Sequence, residues 1–364
     1  MIGILSAVIA TAVSLAAQTK AQMPPRPTSQ TEAPTRDTTY VGADGTAYIT
    51  RIVPVPATVS PEAQKRIGRQ IPDVDTDAPI SLADDRRSSD QSRERSGKAA
   101  LERYPAKVAD GLVAGVPVRI VTPLTANPAK KGFVLINVHG GAYEFDCCSL
   151  TESIPIANLL QTEAISVLYR LAPEHPFPAG VDDVVQIYRE LLKNYASSEI
   201  AIYGTSSGAV ITGEVAMKLK SLGLPQPAAL GILSGFGDFP RQGDSQSFFT
   251  PAGLGGQLTP SSGLMAVQRA YVGETCPDDS VLSPMKGDLT GLPPTLFLTS
   301  TRDMFLSGTS LYHRAMLRAG DQPKLVVFEG LNHGFWVNPT LPESDEAYRI
   351  AAKFFERHLT SAAH

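Results

Sequence analysis

A serine, an aspartate and a histidine each stand just past an apolar run of this chain, in a setting that suits nucleophilic attack on a carbonyl carbon. Ser206 is the centre of Gly204-Thr205-Ser206-Ser207-Gly208, preceded by the run Glu199-Ile200-Ala201-Ile202-Tyr203 and followed by a helix-like stretch to Leu222. A strand, a sharp turn and a helix in that order lift a serine hydroxyl clear of a sheet, and the flanking glycines remove side chains where the backbone folds back on itself. Such a pentapeptide arises by chance in roughly a tenth of chains this long, so its surroundings must carry the reading. Upstream, Lys131 to Val138 forms another apolar strand and runs directly into His139-Gly140-Gly141-Ala142-Tyr143. A glycine pair after a strand lets backbone N–H groups point into a cavity, as a developing oxyanion requires.

Acyl transfer also needs a base. Of the six histidines, His139, His175, His313, His333, His358 and His364, only His333 is well placed. It follows the apolar strand Leu325 to Phe328 in Gly330-Leu331-Asn332-His333-Gly334-Phe335, which puts it on a loop at the carboxyl end of a sheet. His313 and His358 fall within helical patterns, His364 is terminal, His175 sits in a Pro-rich loop, and His139 belongs to the oxyanion turn. The carboxylate that fixes the imidazole tautomer is expected to be Asp303, on the loop after the strand Thr295 to Ser300. Open α/β sheets place their sites at such strand ends. Taken alone, Asp303 also suits a helix N-cap. The order Ser206, Asp303, His333 matches that of α/β-hydrolases and neither the chymotrypsin nor the subtilisin order.

These residues resemble the bacterial hormone-sensitive-lipase-like branch of the α/β-hydrolases. The resemblance rests on His139-Gly140-Gly141, on Tyr169-Arg170-Leu171-Ala172-Pro173-Glu174-His175-Pro176-Phe177-Pro178-Ala179, on the serine elbow, on Gly291-Leu292-Pro293-Pro294-Thr295 and on His333-Gly334-Phe335. It covers about Ala106 to Leu359, and the separations of 97 residues from Ser206 to Asp303 and 30 from Asp303 to His333 are similar to the family's. It implies an α/β-hydrolase fold, with a mostly parallel sheet flanked by helices and a cap over the site. It further implies a serine carboxylesterase without cofactor or metal, acting on short or medium acyl esters and open to lactones. By analogy the oxyanion donors come from Gly140, Gly141, Ala142 and Ser207. Two departures stand out: Ala142 replaces the family's usual third glycine, and Met304 follows the aspartate where the family tends to have proline. Glu329 is the fallback carboxylate. A serine peptidase or amidase on the same fold, and a non-catalytic ligand-binding protein, are the alternatives.

Charged residues make up 19% of the chain, the formal net charge is −4 and no basic run suggests nucleic acid. Residues 1–21 read as a signal peptide, with apolar Ile2 to Ala17 too short to span a bilayer; this predicts export, with an uncleaved membrane anchor as the alternative. Residues 22–103 read as leader and cap arm, and 104–364 as the catalytic domain with a cap insertion at about 239–281. The leader from Gln22 to about Asp44 is rich in Pro, Thr, Ser and Gln and is expected to be disordered or loosely attached; Asp84 to Lys98, crowded with Arg, Ser and Asp, is expected to be a mobile surface loop. Val53-Pro54-Val55-Pro56 and the helix-like Ser60 to Ile67 resemble the N-terminal cap arm of lactone- and ester-hydrolysing relatives, which folds over the site mouth; lining of the acyl pocket and simple packing both stay open. Tyr143, Phe248, Phe249 and Leu254 are the candidate pocket residues, with Leu258, Leu264 and Met265 adding apolar content to the insertion. Cys147, Cys148 and Cys276 cannot all pair within the chain. A bridge from Cys276 to one of the adjacent pair, a vicinal bridge and no bridge all stay open, as does a homodimer.

Overall fold

The computed structural model describes residues 36–68, 81–125, 132–255 and 266–361. The expected signal peptide, together with Leu258, Leu264 and Met265, lies outside them. The chain divides into two units, Met1–Pro54 and Val55–His364. In the first, strands β1 (Thr38–Val41) and β2 (Ala47–Thr50) pair antiparallel. Gly45 turns between them at a φ of 83°, and the Asp44 carboxylate accepts the Thr46 N–H at 3.0 Å. The leader, expected to be disordered or loosely attached to about Asp44, therefore contains a hairpin from Thr38.

The second unit carries α1 (Pro61–Ile67), α2 (Leu82–Arg103), β3 (Ala106–Val113), β4 (Val116–Pro123), β5 (Val134–Val138), α3 (Ser149–Leu160), β6 (Glu163–Val167) and α4 (Ala179–Leu191). It continues with β7 (Ile200–Thr205), α5 (Ser207–Ser221), β8 (Ala229–Leu233), α6 (Ala266–Val272), β9 (Thr295–Arg302), α7 (Leu306–Arg318), β10 (Lys324–Asn332) and α8 (Pro342–His358). Eight strands form one sheet in the order β10-β9-β8-β7-β5-β6-β4-β3. Only β4 runs against its neighbours; the other pairings are parallel.

Both faces of the sheet are covered, which is why its central strands read as continuous apolar runs. Val134, Ile136, Val138, Ile200 and Ile202 pack with α4, α5 and α7 on one face, while Leu135, Ala201, Tyr203, Leu296 and Leu298 pack with α3 and α8 on the other. Burying one such aliphatic side chain stabilises the fold by about 1.5–3 kcal/mol. The chain leaves β5 for β6 on one side and returns to β7 on the other. Strand order thus reverses at β5 and β7, and the crevice at their carboxyl ends is where such sheets bind ligands.

The segment Asp84 to Lys98, expected to be a mobile loop, lies instead within α2. The Ser81 hydroxyl caps the helix by accepting the Asp84 N–H at 3.2 Å, and Asp84 and Asp85 suit the positive end of its dipole. Its buried face is made of Arg93, Gly97 and Ala100 rather than large apolar residues. A Cβ on Gly97 would stand 2.6 Å from Leu150 Cδ1, so α2 approaches α3 through that glycine. Arg86 anchors the outer end on Glu174 at 2.7 Å.

Of the expected arm, α1 is capped by Ser60, whose N–H and hydroxyl meet Glu343 at 2.6 and 2.9 Å. Thr58 donates to Glu329, and Pro56 lies against Gly330. The fallback carboxylate is therefore engaged by this arm.

Candidate active site

Ser206 sits between β7 and α5 with φ 58° and ψ −122°, an unusual conformation for a residue with a Cβ. The glycines around it are sterically required. A Cβ at Gly204 would stand 2.3 Å from the Val138 carbonyl oxygen, and one at Gly208 1.9 Å from the same atom. The turn is thereby pressed against the end of β5, where His139-Gly140-Gly141 begins.

His333 follows β10, and its Nε2 lies 2.9 Å from Ser206 Oγ. Its Nδ1 lies 2.8 Å from Asp303 Oδ1. Asp303 is fully buried just past β9 and also accepts hydrogen bonds from Thr299 Oγ1 at 2.7 Å, from Ser234 Oγ, and from the Phe305 N–H at 2.9 Å. Burial alone would raise its carboxyl, but the adjacent His333 imidazole and these donors hold it below its ordinary value. The N-cap reading of Asp303 does not hold: the N-cap of α7 is Phe305, and the Asp303 carboxylate accepts that residue's own N–H two positions on. The three side chains form one hydrogen-bonded line from a buried carboxylate to a strained serine.

The turn after β5 bends sharply, with φ of 126° at Gly141, 53° at Ala142 and 66° at Tyr143. A Cβ at Gly141 would collide with the Phe145 carbonyl at 1.8 Å. Among the described residues, the backbone N–H groups of Gly141 and Ala142 have no internal acceptor. His139 is buried; its ring stacks on Tyr169 at 4.4 Å, and its carbonyl accepts the Tyr169 hydroxyl at 2.9 Å. The Ala172 N–H donates to the Tyr143 carbonyl at 2.9 Å, so the Tyr169–Ala172 stretch braces the turn from behind.

The pocket candidates separate. Tyr143 is buried and stacks on Tyr271 of α6 at 3.8 Å, joining the turn after β5 to the insertion. Phe248 and Leu254 are exposed, while Phe249 packs partly into the core. The insertion reaches the site at Pro251–Gly253: the Pro251 carbonyl accepts the Asn332 side-chain amide at 2.9 Å, next to His333. Phe305 stands edge-on to the His333 ring at 5.1 Å.

Beneath the elbow lies a residue that sequence reasoning missed. Glu152 of α3 is buried and accepts from Asn137 Nδ2 at 2.8 Å. Its carboxyl is pushed up to about 8 by burial, although Asn137, the Thr205 hydroxyl and the Gly140 backbone all act to lower it. Thr205 in turn accepts from Trp336 Nε1 at 2.9 Å. One carboxyl thus links the segments carrying the turn after β5, the serine and the histidine. The signals were faint: an acidic residue inside an apolar helix, and the chain's single tryptophan three residues past His333.

Cys147 and Cys148 form a vicinal disulfide, and Cys276 is free and exposed. Among the described residues no cluster of His, Cys, Asp and Glu could hold a metal ion, and no helix is long and apolar enough to cross a membrane.

Residues 135–337 match the alpha/beta hydrolase fold family, and the chain belongs to it, within the hormone-sensitive-lipase-like esterases. It is 29% identical over 232 residues to an acetyl-hydrolase of Streptomyces hygroscopicus, an alignment covering 62% of this chain and 77% of that one. A carboxylesterase of Mycobacterium tuberculosis is 27% identical over 236 residues, covering 62% and 72%. The crystal structure of an esterase named E25 superimposes with a TM-score of 0.75 at 30% identity, covering 85% of this chain and 98% of the other. An esterase from the bacterial hormone-sensitive lipase family gives 0.66 at 26% identity, covering 83% and 99%.

Proposed function

We propose that the protein is a serine carboxylesterase that hydrolyses small carboxylic esters of short to medium acyl chain, lactones included, through an acyl-enzyme. The observation that carries this reading is the line Asp303–His333–Ser206, with contacts of 2.8 and 2.9 Å, beside uncommitted N–H groups of the turn after β5.

Ser206 Oγ attacks the ester carbonyl carbon while His333 Nε2 takes its proton. Asp303, held ionised, accepts from His333 Nδ1 and stabilises the imidazolium. The backbone N–H groups of Gly141, Ala142 and Ser207 receive the negative charge on the carbonyl oxygen; Ser207 is suited to this as the first residue of α5, whose N–H has no partner within the helix. The intermediate collapses, and the alcohol leaves with the proton from Nε2. Water then attacks the acyl-enzyme with His333 as base, releasing the acid and restoring Ser206. With a lactone, the hydroxyl freed by ring opening remains on the acyl group, so water releases a single hydroxy acid and no separate alcohol leaves. Met304 in place of the family's proline leaves this geometry possible, since the Asp303 carboxylate is fixed by Ser234, Thr299 and Phe305. The export expected from residues 1–21 is part of the same proposal and places the substrate outside the cytoplasm.

Hydrolysis of p-nitrophenyl esters from acetate to palmitate tests the substrate range. Activity highest at short acyl chains supports the reading; activity confined to long chains overturns it in favour of a lipase.

A further inference from the structure

We infer that the Cys147–Cys148 disulfide is a positioning element of the oxyanion turn, so that ester turnover depends on whether this bond is intact. The inference rests on Gly141 and Ala142 being the oxyanion donors. Both sulfurs are packed against Gly140, the residue that precedes Gly141. A Cβ at that position would stand 3.2 Å from Cys148 Sγ and 3.4 Å from Cys147 Sγ, and 2.8 Å from the Thr205 carbonyl oxygen on its other side. Gly140 is thus held between the disulfide and the residue that leads into Ser206. The Cys147 N–H donates to the Gly140 carbonyl at 3.3 Å, which closes the turn into a loop.

The two half-cystines differ in freedom. Cys148 is buried at the start of α3, where its N–H and that of Ser149 donate to Asp146 Oδ1 at 3.1 and 2.9 Å. Asp146 is itself fixed by Arg119 and the Ser149 hydroxyl. Cys147 is half-buried and makes the backbone hydrogen bond to Gly140. When the bond is cut, the sulfurs must separate to a van der Waals contact. Cys148 is anchored, so the displacement falls on Cys147 and passes through Gly140 to the donors beside it. An oxyanion donor acts only when aimed at the place where charge develops.

The step balances with a small dithiol as reductant. One reagent sulfur, as thiolate, attacks the more accessible Cys147 Sγ. The S–S bond breaks, its electron pair stays on Cys148 and is protonated there. The second reagent sulfur then displaces the Cys147 thiolate, which takes up a proton. Two electrons and two protons have passed to the protein, and the reagent leaves as a cyclic disulfide.

The experiment uses the full chain with Cys276→Ser, which removes the free exposed thiol. Thiols are counted in denaturant before and after dithiothreitol treatment, and kcat and KM for p-nitrophenyl acetate are measured in both states. Outright loss of a donor lowers kcat by about 10²–10³-fold. Displacement through Gly140 is expected to lower it at least about fivefold, with KM changed by less than about twofold, and reoxidation restores it. Adding Cys147→Ser should give the low kcat from the outset and no response to dithiothreitol. Two thiols in the untreated protein, an unchanged kcat after complete reduction, or full activity with Cys147→Ser would each overturn the inference. Absence of turnover in the oxidised protein would overturn the esterase assignment, and this inference with it.

Discussion

Ser234 donates a hydrogen bond to Asp303 Oδ2 from the residue that follows β8, with its own backbone held at φ 54°. Thr299 donates to the same oxygen at 2.7 Å, which leaves Oδ1 for His333 Nδ1 at 2.8 Å and the Phe305 N–H at 2.9 Å. Both carboxylate oxygens are committed, so the ring of His333 has one supported orientation. Asp303→Asn keeps the shape but supports the wrong tautomer, and kcat is expected to fall by about 10⁴-fold. Steady-state kinetics on p-nitrophenyl acetate checks this; a loss under tenfold would mean that another group orients the histidine.

The same contacts set acid stability. Asp303 is held below its ordinary value in the folded protein, so its contribution is present above the unfolded carboxylate pKa and is lost as pH falls through the folded one. Ser234→Ala removes one of the donors that lower it. Acid unfolding should then begin at higher pH, and stability near neutrality should drop by about 1.5–3 kcal/mol, as for a buried hydrogen bond to a charged group. Urea melts across acid pH would contradict this if the two proteins behaved alike.

Glu152 acts with the opposite sign. Its carboxyl is pushed up to about 8 by burial, so the folded state binds a proton that the unfolded state releases above its ordinary value of 4.5. Stability is therefore lost as pH rises between those limits, with a slope near 1.4 kcal/mol per unit, and levels off above the folded value. Glu152→Gln cannot ionise and should flatten that decline. The informative quantity is the difference between the two proteins' stabilities from pH 5 to 9; a difference independent of pH would show that Glu152 does not titrate in this way.

Glycines at the elbow and elsewhere should behave very differently. Gly208→Ala places a Cβ 1.9 Å from one carbonyl oxygen and 2.6 Å from another, both of them backbone. A loss above about 4 kcal/mol, or failure to fold, is expected. Gly291 has a φ of 72° with nothing within 4 Å of an added Cβ, so Gly291→Ala should cost only the left-handed strain, about 1–2 kcal/mol. Thermal melts of the two variants compare them directly.

The strand ends bearing Ser206, Asp303 and His333 were legible because each follows a continuous apolar run, the mark of a strand covered on both faces. Their support was not. Ser234, Thr299 and Glu152 matter only through which distant strand or helix lies beside them, and that pairing leaves no trace in local spacing. The helix over Leu82–Arg103 was misread because its inward face uses small residues and Arg93 instead of an apolar stripe. The hairpin at Thr38–Thr50 was hidden by a polar composition, although Asp44-Gly45 is a strong turn signal. Three cysteines could not declare their own pairing.

The most direct test of the account is ester turnover by the Ser206→Ala protein beside the unaltered one, with circular dichroism to show that both are folded. The substitution keeps the Cβ and therefore the backbone strain at that position. We expect kcat for p-nitrophenyl acetate to fall by at least about 10⁴-fold with the fold unchanged. Undiminished turnover by the folded variant would contradict the assignment of Ser206 as nucleophile and of the protein as a serine esterase.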